Sequence, residues 1–151
     1  MIGILASGGV SGGHLNPAVT LALACVKKCS WIQVPVYWLA QYIGALLAAS
    51  VLYGIYADAI NNAGGLVGAT AGIFASYPNS NFTPSTATLA FDQILGTALL
   101  LIIIMAVTDE QNMKVPSGLV ALFIGLGLGA IHISFGLNAG CAINPARDFS
   151  P

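Results

Sequence analysis

Long apolar runs broken by short polar stretches set the plan of this chain. Residues 1–10 are small and apolar and read as the end of a spanning helix. Ser11 to Leu15 interrupt the run. The apolar stretch from 17 to about 27 is too short to cross a bilayer, which takes about 20 residues, and Lys27-Lys28 close it. From Cys29 to Ala57 there is no charged residue, enough for one span. Trp31, Tyr37 and Trp38 near its start, with Tyr53 and Tyr56 near its end, suit aromatic belts at two interfaces. Asp58 to about Ser85 is rich in Gly, Asn, Pro, Ser and Thr and reads as a loop. Gln93 to Val107 forms the core of the next span, Asp109 to Pro116 a polar turn, and Ser117 to about Phe135 a further span. The pattern gives three full spans, part of a fourth, one half-helix and the start of another.

Composition sharpens this into a membrane reading. Charged residues are 6% of the chain and hydrophobic ones 57%, where a soluble domain carries about 25% charged residues. A formal net charge of −1 leaves no basic surface for nucleic acid. Lys27, Lys28 and Lys114 all fall in loops on one side, and 58–85 contains no Lys or Arg. The positive-inside rule therefore puts 27–28 and 109–116 in the cytoplasm and 58–85 outside. Cys25, Cys29 and Cys141 make neither a disulfide framework nor a metal pattern, and Cys25 and Cys29 read as small apolar fillers. The residues imply neither a cofactor nor a metal. No Gly-rich phosphate loop, activated nucleophile or carboxylate pair is present, which argues against an enzyme.

Two tripeptides carry the chemistry: Asn16-Pro17-Ala18 and Asn144-Pro145-Ala146, one near each end. Each follows a loop of small residues. Pro has no N–H and a φ preset near the helical value, so it suits the first helical position, with Asn as cap. Each stretch thus predicts a helix start whose positive dipole end points at something. Given the charge-based orientation, the first dips in from the cytoplasm and the second from outside. Repeated broken helices of opposite entry point to a permeation site at the bilayer midplane.

At these residues the chain resembles the aquaporin family, and Arg147-Asp148 after the second tripeptide resembles its aquaglyceroporin branch. The resemblance covers essentially all of 1–151 and implies an all-α membrane fold, a helical bundle with two re-entrant half-helices. It also implies a single channel domain truncated at both ends, because family members have six spans and two half-helices. No signal-peptide pattern opens the chain, and Met1 is expected to be internal to a longer protein.

Asn16 and Asn144 are the expected central pair, each amide offering two donors and one acceptor. Arg147, the one arginine of the sequence, sits at membrane depth, where a charge must face water or a partner. Adjacent residues on a helix point about 100° apart, so a tight pair with Asp148 is not expected. The resemblance makes Arg147 the selectivity arginine and Asp148 the mark of glycerol conduction, with Asp148 bracing neighbouring loop groups. His132 lies on a stripe with Gly125, Gly129 and Gly136, and small residues mark the face of a span turned to other helices. His132 is therefore expected to face the protein interior. In the family its position lines the outer constriction, where histidine resembles the water-selective branch; Cys141 matches another constriction position. His14 resembles a loop brace and Tyr77 an outer-mouth aromatic. Asn81-Phe82-Thr83 is an N-glycosylation pattern in the predicted outer loop, weakened by Pro84.

The function implied is passive conduction of water and small neutral solutes such as glycerol, by a multi-pass protein of the plasma membrane. A homotetramer in the lipid bilayer is the implied assembly. Within the class the alternative is a water-selective pore narrowed by His132. From another class, a secondary transporter would need an intramembrane carboxylate for coupling. Asp58, Asp92, Asp109, Glu110 and Asp148 instead fall at expected span ends or beside Arg147.

Overall fold

The structure, a computed structural model, describes residues 1–67 and 70–151. Among the described residues every regular element is helical: α1 (Ile2–Ser11), α2 (Pro17–Cys25), α3 (Gln33–Asn62), α4 (Thr86–Thr108), α5 (Ser117–Phe135) and α6 (Pro145–Phe149), with a short 3-10 turn at Ala71–Ile73. Of these, α3, α4 and α5 are long and apolar enough to cross a membrane.

The boundaries differ from the hydropathy reading where local chemistry overrides it. The half-helix α2 stops at Cys25 rather than near 27, because Lys27 turns left-handed (φ 61°) and the Lys28 and Cys29 amides both return to the Leu23 carbonyl. That closes the helix as a left-handed C-cap does. At the other extreme α3 runs past Ala57 to Asn62. Asp58 is polar but no helix breaker; the break comes at Gly64 and Gly65 (φ 97° and 88°), where Gly65 N–H reaches the Ile60 carbonyl. At 1.5 Å per residue, 30 residues make a helix about 45 Å long, more than the ~30 Å hydrocarbon layer. The start of α4 comes at Thr86, seven residues before the apolar run, because the Ser85 hydroxyl accepts the Thr88 amide hydrogen as an N-cap. Asp92 and Gln93 therefore lie inside a helix, and Asp92 is buried rather than placed at a span end. Residues 117 to 135 form α5 as the apolar run predicts.

The helices fall into two compact units. The first comprises Met1–Leu15 and Pro78–Ile143, and so holds α1, α4 and α5. Its core is Leu100 and Ile104 of α4 against Ala121, Ile124 and Ile131 of α5, closed by Cys141, Ala142 and Ile143. A Cβ on Gly127 would come 2.8 Å from Ile103 Cδ1, so this glycine gives the Ile103 side chain of α4 room against α5. In lipid, apolar burial gives little preference for one helix over another, and close packing of this kind holds spans together. The second unit comprises Asn16–Tyr77 and Asn144–Pro151, with α2, α3 and α6. Its core is Val19, Thr20, Leu23 and Ala24 of α2 with Val34, Ile60 and Ala146. Here α3 packs against both short helices, and α2 and α6 also touch each other.

Candidate functional site

Both tripeptides fold the same way. Leu15 and Ile143, the residues just before the two asparagines, have positive φ (53° and 36°). Each asparagine then swings to extended backbone, φ −155° at Asn16 and −146° at Asn144, and proline opens the helix. Left-handed backbone is costly for an ordinary residue and most of all for β-branched Ile143; such strain concentrates at functional sites. The caps are also alike. Asn16 Oδ1 accepts the Ala18 amide hydrogen at 2.9 Å, and Asn144 Oδ1 accepts those of Ala146 and Arg147 at 3.1 and 3.4 Å. Capping engages the amide oxygen of each asparagine, and the donors sit on the other arm.

In the second unit, one stretch of α3 holds both half-helices. Trp38 Nε1 donates to the Pro17 carbonyl at 3.1 Å, and Gln41 Nε2 donates to Thr20 Oγ1 at 2.9 Å. Thr20, fully buried, passes its own hydroxyl hydrogen to the Asn16 carbonyl at 3.2 Å. The next residue, Tyr42, receives Ser150 Oγ at its carbonyl at 2.9 Å, which fixes the end of α6. Ala18 is half-buried beside buried Pro17, and in α6 Pro145 is exposed while Ala146 is buried.

Arg147 and Asp148 depart from the helical-angle expectation. Arg147 Nη1 lies 3.1 Å from Asp148 Oδ1 as an ion pair, with the two side chains 42% and 35% exposed. Neighbours on a helix do point apart, but the arginine stem is long and mobile enough to curl back. The same Asp148 oxygen accepts the Ser76 amide hydrogen at 2.6 Å. The carboxylate therefore ties the loop segment at 76 to α6. Tyr77, next along, is exposed and borders a cavity of about 390 Å³ with Leu46, Tyr53, Leu66 and Phe74. Asn81 is exposed, and its amide donates to Asn79 Oδ1.

In the first unit, the loop that leads to Asn144 is held from α4. Gln93 makes two bonds to it: Nε2 to the Gly140 carbonyl and Oε1 from the Ile143 amide, both at 3.2 Å. Between those anchors Cys141 is buried beneath Gly96; a Cβ there would stand 3.0 Å from Ile143 Cγ2 and 4.0 Å from Cys141 Sγ. Buried Asp92 accepts from Asn138 Nδ2 at 3.3 Å. The leading loop of the first tripeptide packs similarly close, since a Cβ on Gly13 would meet Ile4 Cα at 3.3 Å. His14 is half-buried there.

His132 does not pack into the core of this unit. It is exposed, with Nδ1 2.9 Å from the Leu128 carbonyl, and borders an open cavity of about 440 Å³ with Met1, Gly125 and Gly129. Within this unit only the Gly125 end of the stripe meets a neighbour, Met1, and nothing approaches Gly129. Neither Cys25 nor Cys29, read as small apolar fillers, is buried in a core of this chain. Cys25 is exposed at the end of α2, and Cys29 Sγ lies 3.7 Å from Gln33 Oε1 in the turn that follows. Among the described residues no group of His, Cys, Asp and Glu is placed to hold a metal ion.

The gripping roles of Trp38, Gln41, Asp92 and Gln93 are not read from sequence, where Trp38 counts as a belt aromatic, Asp92 as a carboxylate at a span end and Gln93 as the start of a span. The available signal was polarity inside a span, which is costly without a partner and so implies one.

Comparisons with known proteins agree with this geometry. The family model described as Major intrinsic protein matches residues 1–151. Aquaporin-9 of Homo sapiens is 47% identical over 154 residues, a match covering 98% of this chain and 52% of that protein. Aquaglyceroporin-2 of Rhizophagus irregularis is 47% identical over 156 residues, covering 99% and 49%. Among solved structures, the X-ray structure of the aquaglyceroporin from Plasmodium falciparum superposes with a TM-score of 0.88 at 33% identity, over 99% of this chain and 60% of that one. The chain spans about half the length of the curated relatives it matches.

Proposed function

This chain belongs to the major intrinsic protein family, on its aquaglyceroporin branch, and from that premise we propose that the protein is a membrane channel for passive passage of water and small neutral solutes such as glycerol. The observation that carries the reading is the duplicated half-helix start: a left-handed residue, a capping asparagine and Pro-Ala, twice, on short helices that touch.

The mechanism follows from charge and hydrogen bonding. Asn16 and Asn144 supply amide donors to a passing hydroxyl. Helix N-termini carry partial positive charge and raise the energy of a cation at the midplane, a hydrated proton included. Arg147 adds a fixed positive charge and further donors, and Asp148 holds its orientation. Neutral molecules that can exchange hydrogen bonds with water for hydrogen bonds with the wall then pass, and ions do not. Cys141 and His132 are proposed as further filter residues on the strength of their positions in the sequence. Residues 1–151 are read as part of one channel domain in a multi-pass plasma-membrane protein. A homotetramer in the lipid bilayer is the proposed assembly, with Tyr77 at the outer mouth and Asn81 as a candidate glycosylation position.

Branch membership favours glycerol. The specific observation on the other side is His132, whose imidazole favours a water-selective pore if it narrows the filter. Light-scattering measurement of water and glycerol entry into proteoliposomes of the full-length protein tests the reading and separates the two.

A further inference from the structure

We propose that Asn79, in the loop before α4, is a positioning residue that clips the segment leading to Asn144 and thereby sets the place of Cys141. The functional consequence rests on the channel reading above; the clip itself does not.

All the observations lie in the first unit. Asn79 makes three hydrogen bonds with three different groups. Its backbone N–H donates to the Asn138 carbonyl at 2.8 Å, and its side-chain Nδ2 donates to the Leu137 carbonyl at 2.8 Å. Its Oδ1 accepts the Asn81 amide hydrogen at 2.8 Å. The last bond fixes the orientation of the amide: with oxygen toward Asn81, nitrogen faces Leu137. Asn138 is held again from the other side by buried Asp92, through a longer bond of 3.3 Å.

The segment from 136 to 143 has no regular structure, and it includes Gly140 in a left-handed conformation (φ 71°). Its late part is gripped by Gln93 at Gly140 and Ile143. Its early part, at 137–138, is gripped by Asn79 and Asp92. Stretches without a helix or sheet ladder open locally at low free energy unless such anchors tie them down. With the Asn79 side-chain bonds gone, 137–138 would lose the tie at Leu137 and the amide that orients it, keeping the Asn79 backbone bond and the 3.3 Å bond from Asp92, and movement there would be passed along the chain to buried Cys141. A residue of the outer loop, far from the tripeptides in sequence, thus positions a proposed filter residue.

The test reads Cys141 directly. Full-length protein in detergent is treated with N-ethylmaleimide, and the rate of alkylation of the Cys141 peptide is followed by mass spectrometry. Asn79→Ala removes both side-chain bonds. Asn79→Asp keeps the acceptor for Asn81 and replaces the donor to Leu137 with a carboxylate oxygen facing a carbonyl. Both variants should raise the Cys141 rate by about tenfold, the loss of one to two hydrogen bonds' worth of closure, while Ser80→Ala in the same loop leaves it unchanged. The ratio of glycerol to water permeability should shift in the same two variants. Cys141 rates within about twofold of wild type in both would overturn the proposal. Should neither variant fold, amide exchange of wild type decides: the Asn79 N–H must exchange more slowly than those of Ser80 and Phe82, and equal exchange overturns the clip. Protection of Cys141 that depends on Asn79, in a protein that passes neither water nor glycerol, would uphold the clip and reject the channel reading.

Discussion

Asp148 uses one carboxylate oxygen for two partners, its neighbour Arg147 at 3.1 Å and the Ser76 amide at 2.6 Å. The first contact orients the cation of the proposed filter, and the second ties α6 to the loop before α4. These effects separate by mutation. Asp148→Asn keeps an acceptor for Ser76 but gives up the charge beside Arg147; Asp148→Ala loses both. Both side chains are more than a third exposed, so the ion pair is worth at most about 1 kcal/mol. The Ala variant should melt several degrees below wild type and the Asn variant should lie between them, as thermal unfolding in detergent would measure. Equal melting temperatures for Asn and Ala would mean that the Ser76 bond contributes nothing.

Arg147→Val removes the fixed positive charge from the proposed filter. Water conduction should persist while proton or cation leakage rises, because exclusion of ions depends on that charge. A pH-sensitive dye inside proteoliposomes measures the leak. Unchanged ion exclusion would count against the filter role of Arg147.

Gln93→Leu preserves size but leaves the Ile143 amide and the Gly140 carbonyl without their side-chain partner. An unmet buried polar group costs about 1–3 kcal/mol, and here the cost falls on a residue already held at φ 36°. Permeability should drop severalfold with the helical content by circular dichroism intact. Gln93→Leu with wild-type permeability would show that Ile143 holds its backbone unaided.

His132→Gly tests the water-selective alternative. If the imidazole occupies the filter, removing it should raise the glycerol-to-water permeability ratio by several-fold. A ratio equal to wild type would assign selectivity to other residues.

The sequence makes some of this architecture readable and hides the rest for definite reasons. Apolar run length located α3, α4 and α5, because the cost of unpaired backbone in lipid forces whole helices there. The Asn-Pro-Ala starts were legible because cap and proline act locally. Helix ends at Asn62 and Thr86 were not, since helices continue into water wherever no breaker or cap intervenes, and hydropathy marks only the apolar layer. The left-handed turn at Ile143 is likewise hidden, because a β-branched residue disfavours it and the Gln93 bond that helps hold it comes from a distant helix. The partners of the glycine stripe on α5 are not legible either: the stripe marks a face able to pack closely, and in this unit only its Gly125 end has a neighbour.

The central claim is passive conduction of water and glycerol, and stopped-flow light scattering on proteoliposomes of the full-length protein tests it most directly. The account predicts water and glycerol entry well above that of empty vesicles, with a low activation energy and no response to an imposed proton gradient. Entry no faster than in empty vesicles, or glycerol uptake that follows the proton gradient, would contradict it.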